Sequence, residues 1–218
     1  MKQLLLSVLC IVSIAGCKSS TGPDPSANPA VIPQDGSTFT FRYAGTDPAV
    51  QLTEHVTLMD TIASRFYAHR LSDTIGTFST TAIDSFQVLA NGDLRICGCD
   101  NLALPIGTHM PYEMTTTTPV KKDGVIGDGI ITIRNMYLDD EVMLAAGQYF
   151  VCTKLARETT VYTRFGQPSL DSTFVITDTY WYSAKLGYFV KEQEERSTNG
   201  SPAMPAWTRT LLAYKLGK

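Results

Sequence analysis

Val142-Met143-Leu144-Ala145-Ala146-Gly147-Gln148-Tyr149-Phe150-Val151-Cys152-Thr153-Lys154-Leu155 decides the fold. It reads as a strand, a tight turn at Ala146-Gly147, and a returning strand. Downstream, Thr159 to Phe165 and Thr173 to Trp181 repeat the pattern, with Gly166-Gln167-Pro168 between them. Leu186 to Glu192 begins another strand, and Thr208 to Leu216 closes the chain after a Pro-rich loop. Upstream, glycines between Gly124 and Gly129 punctuate, and Ile130 to Tyr137 resumes as a strand. Ala82 to Leu89, Asn91-Gly92 and Asp93 to Cys99 form a hairpin, because Asn-Gly tolerates the positive φ of a primed turn. Phe86 and Val88 share one face there, as do Leu94 and Ile96 on the return. Nearer the start, Ser37 to Tyr43 alternates aromatic and polar residues, as a half-buried strand does. Frequent turns and scarcely any helix predict a mainly β domain. It is expected as a single, strongly curved antiparallel sheet, a half-barrel or open barrel.

Three stretches are harder to read. Leu52, Val56, Met59, Ala63 and Phe66 fit a helical stripe, whereas Val50, Thr53, Val56, Thr57, Thr61 and Ile62 are β-branched. A strand pair turning at Ala63-Ser64 is favoured over a helix. Asp100 to Lys122 carries Pro105, Pro111, Pro119 and the run Thr115 to Thr118. It reads as a long irregular connection with at most short extended pieces. Asp139-Asp140-Glu141 reads as a solvated loop, since adjacent strand residues face opposite ways and make no paired-carboxylate site.

The N-terminus is of another kind. Lys2 supplies a positive charge, and Leu4 to Ala15 is apolar but too short to span a bilayer, which takes about 20 such residues. Ile14-Ala15-Gly16-Cys17 resembles the lipobox of bacterial lipoproteins. The resemblance implies a diacylglycerol on the Cys17 thiol, cleavage before Cys17, and acylation of the new amine. Two or three acyl chains make a stable anchor where one does not. Lys18, where an Asp would retain the protein in the inner membrane, implies the outer membrane by the sorting habit of Gram-negative lipoproteins. The expected organisation is a signal peptide at 1–16, a lipidated Cys and Pro-rich tether at 17–34, and a β domain at 35–218. The membrane is then a partner through the anchor.

Composition narrows the function. Removal of residues 1–16 leaves 17 basic against 21 acidic residues. No basic block occurs, so nucleic acid is not an expected partner. Five cysteines reduce to Cys97, Cys99 and Cys152 once Cys10 is cleaved and Cys17 lipidated. An oxidising envelope favours one disulfide, Cys152 with Cys97 or Cys99. The sharper alternative is a thiol- or metal-dependent envelope enzyme using all three, although their spacing is not that of a common zinc module. No nucleophile elbow, zinc-protease, Walker or dinucleotide fingerprint is present. Neither a metal nor a cofactor is expected, and catalysis is not.

A second resemblance covers the C-terminal half. Ala145-Ala146-Gly147-Gln148-Tyr149 followed by Tyr180-Trp181-Tyr182-Ser183-Ala184-Lys185-Leu186-Gly187-Tyr188-Phe189-Val190-Lys191 is similar to a motif pair of uncharacterised envelope lipoproteins. It also resembles the half-barrel sheets of the lipoprotein carriers LolA and LolB. The likeness implies a fold and brings no catalytic residues. Trp181 and the tyrosines Tyr180, Tyr182 and Tyr188 are candidates to line an apolar pocket for a hydrophobic small molecule, with core packing as their other reading. The expectation is a lipid-anchored envelope protein that binds a ligand or supports an envelope assembly.

Overall fold

The computed structural model describes residues 28–45, 51–60, 64–71, 82–97 and 102–218. Twelve strands form one antiparallel sheet, with no helix among the described residues. In chain order they are β1 (Thr38–Ala44), β2 (Gln51–Asp60), β3 (Arg65–Leu71), β4 (Ala82–Val88), β5 (Leu94–Cys97) and β6 (Ala103–Leu104). Then come β7 (Tyr112–Lys122), β8 (Val125–Ala145), β9 (Gln148–Arg164), β10 (Ser172–Ser183), β11 (Tyr188–Thr198) and β12 (Met204–Lys215). The sheet order is β6-β5-β4-β3-β2-β1-β12-β11-β10-β9-β8-β7. Its two ends curl towards each other, leaving one unsealed seam. Asn135 on β8 crosses that seam, donating from Nδ2 to the Ala103 carbonyl on β6 at 2.9 Å.

Because neighbours run antiparallel, the turns sort to two ends. The lower end carries the β2–β3, β4–β5, β6–β7, β8–β9 and β10–β11 turns. The chain arrives there too, since residues 29–36 form a strap beneath the barrel. The Ala30 amide donates to the Gly92 carbonyl at 2.7 Å, and the Tyr182 hydroxyl both donates to the Val31 carbonyl and accepts from its amide. Gly187 shows why the strap lies so close. Its φ is +67°, and a Cβ there would meet Pro33 N at 2.8 Å. Residues 30–33, expected as tether, therefore belong to the packed unit.

Above the strap sits an aromatic core. Phe39 stacks on Tyr188 at 4.7 Å and Phe66 on Phe86 at 4.9 Å, with Tyr188 edge-on to both Phe66 and Phe86. Alternation along β1 and β3 turns these rings inward, and each buried ring contributes about 1.5–3 kcal/mol. A carboxylate clasps the lower seam. Asp93, fully buried, accepts from the amides of Gly107 and Thr108, from the hydroxyls of Thr108 and Tyr112, and from Asn91 Nδ2. The β6–β7 loop is thereby tied to the Asn91-Gly92 turn.

Residues 51–60 and 65–71 are strands, as favoured, and the Ala146-Gly147 turn forms with positive φ at both residues. The chain also turns at Asn91-Gly92, but only Gly92 takes a positive φ, so it is not the primed turn expected. Two further expectations are corrected. Residues 112–122 are not irregular but an edge strand, where Pro119 can sit because one side of the strand needs no donor. Asp139-Asp140-Glu141 is not a loop but continues β8, with the sheet register shifting between Tyr137 and Asp139. The bulge absorbs the extra residue and lets acids ride an exposed strand.

Candidate functional site

A cavity of about 450 Å³ opens in the upper half of the barrel. Its walls are Phe86 and Ile96 from β4 and β5, Tyr180 and Phe189 from β10 and β11, and Trp207 from β12. Polar groups enter through Tyr43, Asp84, Glu192 and Arg209. The sheet register explains the arrangement. Tyr137, Leu155, Tyr180, Glu192, Arg209 and Tyr43 are successive partners across six strands and form one row. The next row up is Asn135, Arg157, Asp178, Glu194 and Trp207. Period-two alternation places both rows on the same face.

Arg209 is the charged centre of the cavity floor. Its side chain is 3% exposed and lies between the carboxylates of Glu54 and Glu192, the latter at 2.5 Å. Nη1 also donates to the Tyr43 hydroxyl at 3.3 Å, and the guanidinium lies over the Phe41 ring at 4.7 Å. Burial alone would depress its pKa, but Glu192 and Glu54 outweigh that and hold it well above the ordinary arginine value. The Tyr188 hydroxyl donates to the second Glu54 oxygen at 2.7 Å, and burial with Glu54 alongside pushes the phenol well up. Two buried carboxylates are thus held by one guanidinium and one phenol. Such a network is costly to break from one side.

Asp178, one row above, has a different environment. Burial, then Glu194 and Glu192, push its carboxyl up to about 7, while Arg157 and Arg196 pull it back. Above it the same face turns apolar, with the register partners Ile131, Val161 and Phe174 all half-buried. Ile133 and Ile176 continue that surface through Thr159 between them. The cavity therefore has aromatic walls, a charged belt and an apolar rim. That combination suits an amphipathic molecule.

The candidate residues named from sequence are distributed unevenly. Tyr180 lines the cavity and is 9% exposed. Tyr182 lies lower and holds the strap, and Tyr188 is in the aromatic core against Glu54. Cys97 and Cys152 both carry free thiols, so no disulfide joins them. They sit far apart in the sheet, Cys97 on β5 beside Ser85 and Cys152 on β9 beside Glu141. Burial, with Glu141 and Asp140 nearby, pushes the Cys152 thiol up to about 12. A thiol so raised is a poor nucleophile at neutral pH. Cys17 and Cys99 lie outside the described residues. No group of three His, Cys, Asp or Glu side chains is placed to hold a metal ion among the described residues.

Sequence reasoning missed Glu54, Glu192 and Arg209. Their rows are set by pairing across strands distant in sequence, and no local spacing signals it. Trp181, a candidate wall residue with the tyrosines, is not among the residues lining the cavity. Its indole donates to Glu141 at 3.0 Å, with Lys154 and Lys191 over its ring at 5.2 and 4.3 Å. The indole bond, then Lys154, holds the Glu141 carboxyl below its ordinary range.

No protein-family model matches the chain, and no curated protein matches it in sequence. Among solved structures, a candidate lipoprotein from Parabacteroides distasonis is 12% identical, with a TM-score of 0.51. That alignment covers 87% of this chain and 99% of that one. The fold is shared. A candidate exported protein from Bacteroides fragilis with a YmcC-like fold gives a TM-score of 0.49 at 15% identity, covering 86% of this chain and 100% of that one. The hypothetical lipoprotein YmcC from Escherichia coli gives 0.41 at 14% identity, covering 81% and 83%. At these identities the first match speaks for the architecture alone.

Proposed function

We propose that the chain is a lipid-anchored protein of the bacterial cell envelope that binds a hydrophobic or amphipathic small molecule inside its half-closed barrel, without catalysis. The cavity carries this reading: about 450 Å³, walled by Phe86, Ile96, Tyr180, Phe189 and Trp207, with polar groups confined to a belt. Pockets of this size and make-up hold small ligands. The envelope location rests on Ile14-Ala15-Gly16-Cys17 and Lys18, which also favour the outer membrane. The name given to the Parabacteroides distasonis structure, a candidate lipoprotein, agrees with that placement. The thiol-enzyme alternative lacks comparable support, because Cys97 and Cys152 are apart and Cys152 is held protonated.

Native mass spectrometry of the full protein, extracted from membranes in mild detergent, tests the reading. The expected spectrum contains one apolar adduct per chain that disappears in Ile96→Trp, which fills the cavity from an existing wall. A spectrum with no adduct under several extraction conditions, or an adduct retained by the variant, would overturn it.

A further inference from the structure

Among the described residues, most of the large exposed apolar side chains lie at the lower end, with Leu138 midway along β8. On the β8–β9 hairpin, Val142 pairs with Val151 and Leu144 with Tyr149 across the strands. All four point to solvent, at 62%, 61%, 60% and 73% exposure. The other face of the same hairpin is buried through Phe150 and Cys152. Three further exposed apolar residues belong to this lower end: Val31 on the strap, Met110 in the β6–β7 loop and Leu216 after β12. Among the described residues, only Ile126 and Met204 of the large exposed hydrophobics lie at the upper end.

The hairpin tip and the strap are neighbours. Lys185 in the β10–β11 turn donates to Gln148 at 3.1 Å, and Gly187 in the same turn abuts Pro33. The 11 residue steps from Cys17 to the first described residue, Asn28, can span at most roughly 40 Å even if fully extended. An anchor at Cys17 would therefore hold this end of the barrel within roughly 40 Å of the bilayer.

We propose that the lower end, led by Val142, Leu144, Tyr149 and Val151, docks on the lipid surface, so that the cavity mouth faces away from the anchoring membrane. The inference rests on the lipid-anchor reading of Cys17. A paired apolar patch with an aromatic ring suits the headgroup boundary, where apolar groups sink by about 5–10 Å and Tyr is favoured. Acyl chains at Cys17 and the patch would act as two attachments and fix the domain's orientation rather than merely its distance.

The test uses the full acylated protein reconstituted in phosphatidylethanolamine–phosphatidylglycerol vesicles containing brominated acyl chains. Tyr149→Trp and Ile126→Trp place an added indole at the lower and upper ends, each at an exposed position that tolerates the change. With the emission of the native Trp181 and Trp207 subtracted through the parent protein, the added lower indole is expected to be quenched by the bromines, consistent with burial at the acyl boundary, while the upper one keeps its emission. Failure of the protein to float with the vesicles would overturn the anchor reading and the docking with it. Flotation with neither indole quenched, as for a patch covered by a second copy or another protein, would overturn the docking alone, as would equal quenching of both.

Discussion

The lower and upper halves of the sheet are built from the same strands but obey different rules. Below, β1, β3, β4 and β11 surround rings that are almost wholly buried, and Phe39, Phe66, Phe86 and Tyr188 contact one another directly. Above, β7 to β10 run on past the core. Between 112 and 134 only Gly129 and Ile133 are buried, and between 158 and 179 no described residue is. The outer face of this extension is rich in threonine, with Thr115 and Thr132 sharing a hydroxyl bond at 3.2 Å. Packing therefore holds the lower half, while strand pairing holds the upper. Among the described residues, the strap seals one end of the barrel and β7 to β10 form the wall that rises furthest at the other, with a cup between them.

Substitutions should separate the halves by the size of their effect. Arg209→Met removes the guanidinium shared by two buried carboxylates at the cup floor and should cost about 3–5 kcal/mol in urea unfolding. The added changes Glu54→Gln and Glu192→Gln should recover much of that loss; a triple variant as unstable as the single one would break the account of the floor. Asp93→Ala leaves the Gly107 and Thr108 amides unsatisfied at the lower seam and should cost about 2–4 kcal/mol. Hydrogen exchange in residues 105–111 should rise first.

In the upper half, the expected signature is pH dependence. The folded-state pKa of Asp178, about 7, lies above the ordinary 3.8, so the native state holds a proton that the unfolded chain has released. Stability attributable to this group should be full below about pH 4, fall as pH rises to about 7, and level off beyond. Asp178→Asn should flatten that slope and gain most at pH 8; an unchanged profile would contradict the environment described. Thr132→Ala, on the outer face of the extension, should cost less than about 0.5 kcal/mol. A loss as large as that of Asp93→Ala would erase the contrast between the halves.

Local pattern made the lower half legible. Alternation in Phe39, Phe41 and Tyr43 marks an inward face, and Asn91-Gly92 and Ala146-Gly147 mark turns through their positive φ preference. The upper half misled where two rules competed. Pro119 argued against a strand, yet β-branched threonines around it and an edge position without a donor requirement prevailed. Three acids at 139–141 suggested a loop, yet Trp181 and Lys154 on neighbouring strands hold Glu141 in place. The cup floor was not legible at all. Glu54, Glu192 and Arg209 are scattered singly through the chain, and only the register of β1, β2, β11 and β12 brings them together.

The central claim is that the cup holds a hydrophobic or amphipathic ligand above the floor set by Arg209, Glu54 and Glu192. Titration of the full protein with the neutral fluorophore N-phenyl-1-naphthylamine addresses it most directly, with Ile96→Trp filling the cavity and Thr132→Ala as the control on the outer face. Saturable binding of one probe per chain is expected, lost in Ile96→Trp and retained in Thr132→Ala. Binding that survives the filled cavity, or is absent from the parent protein, would contradict it.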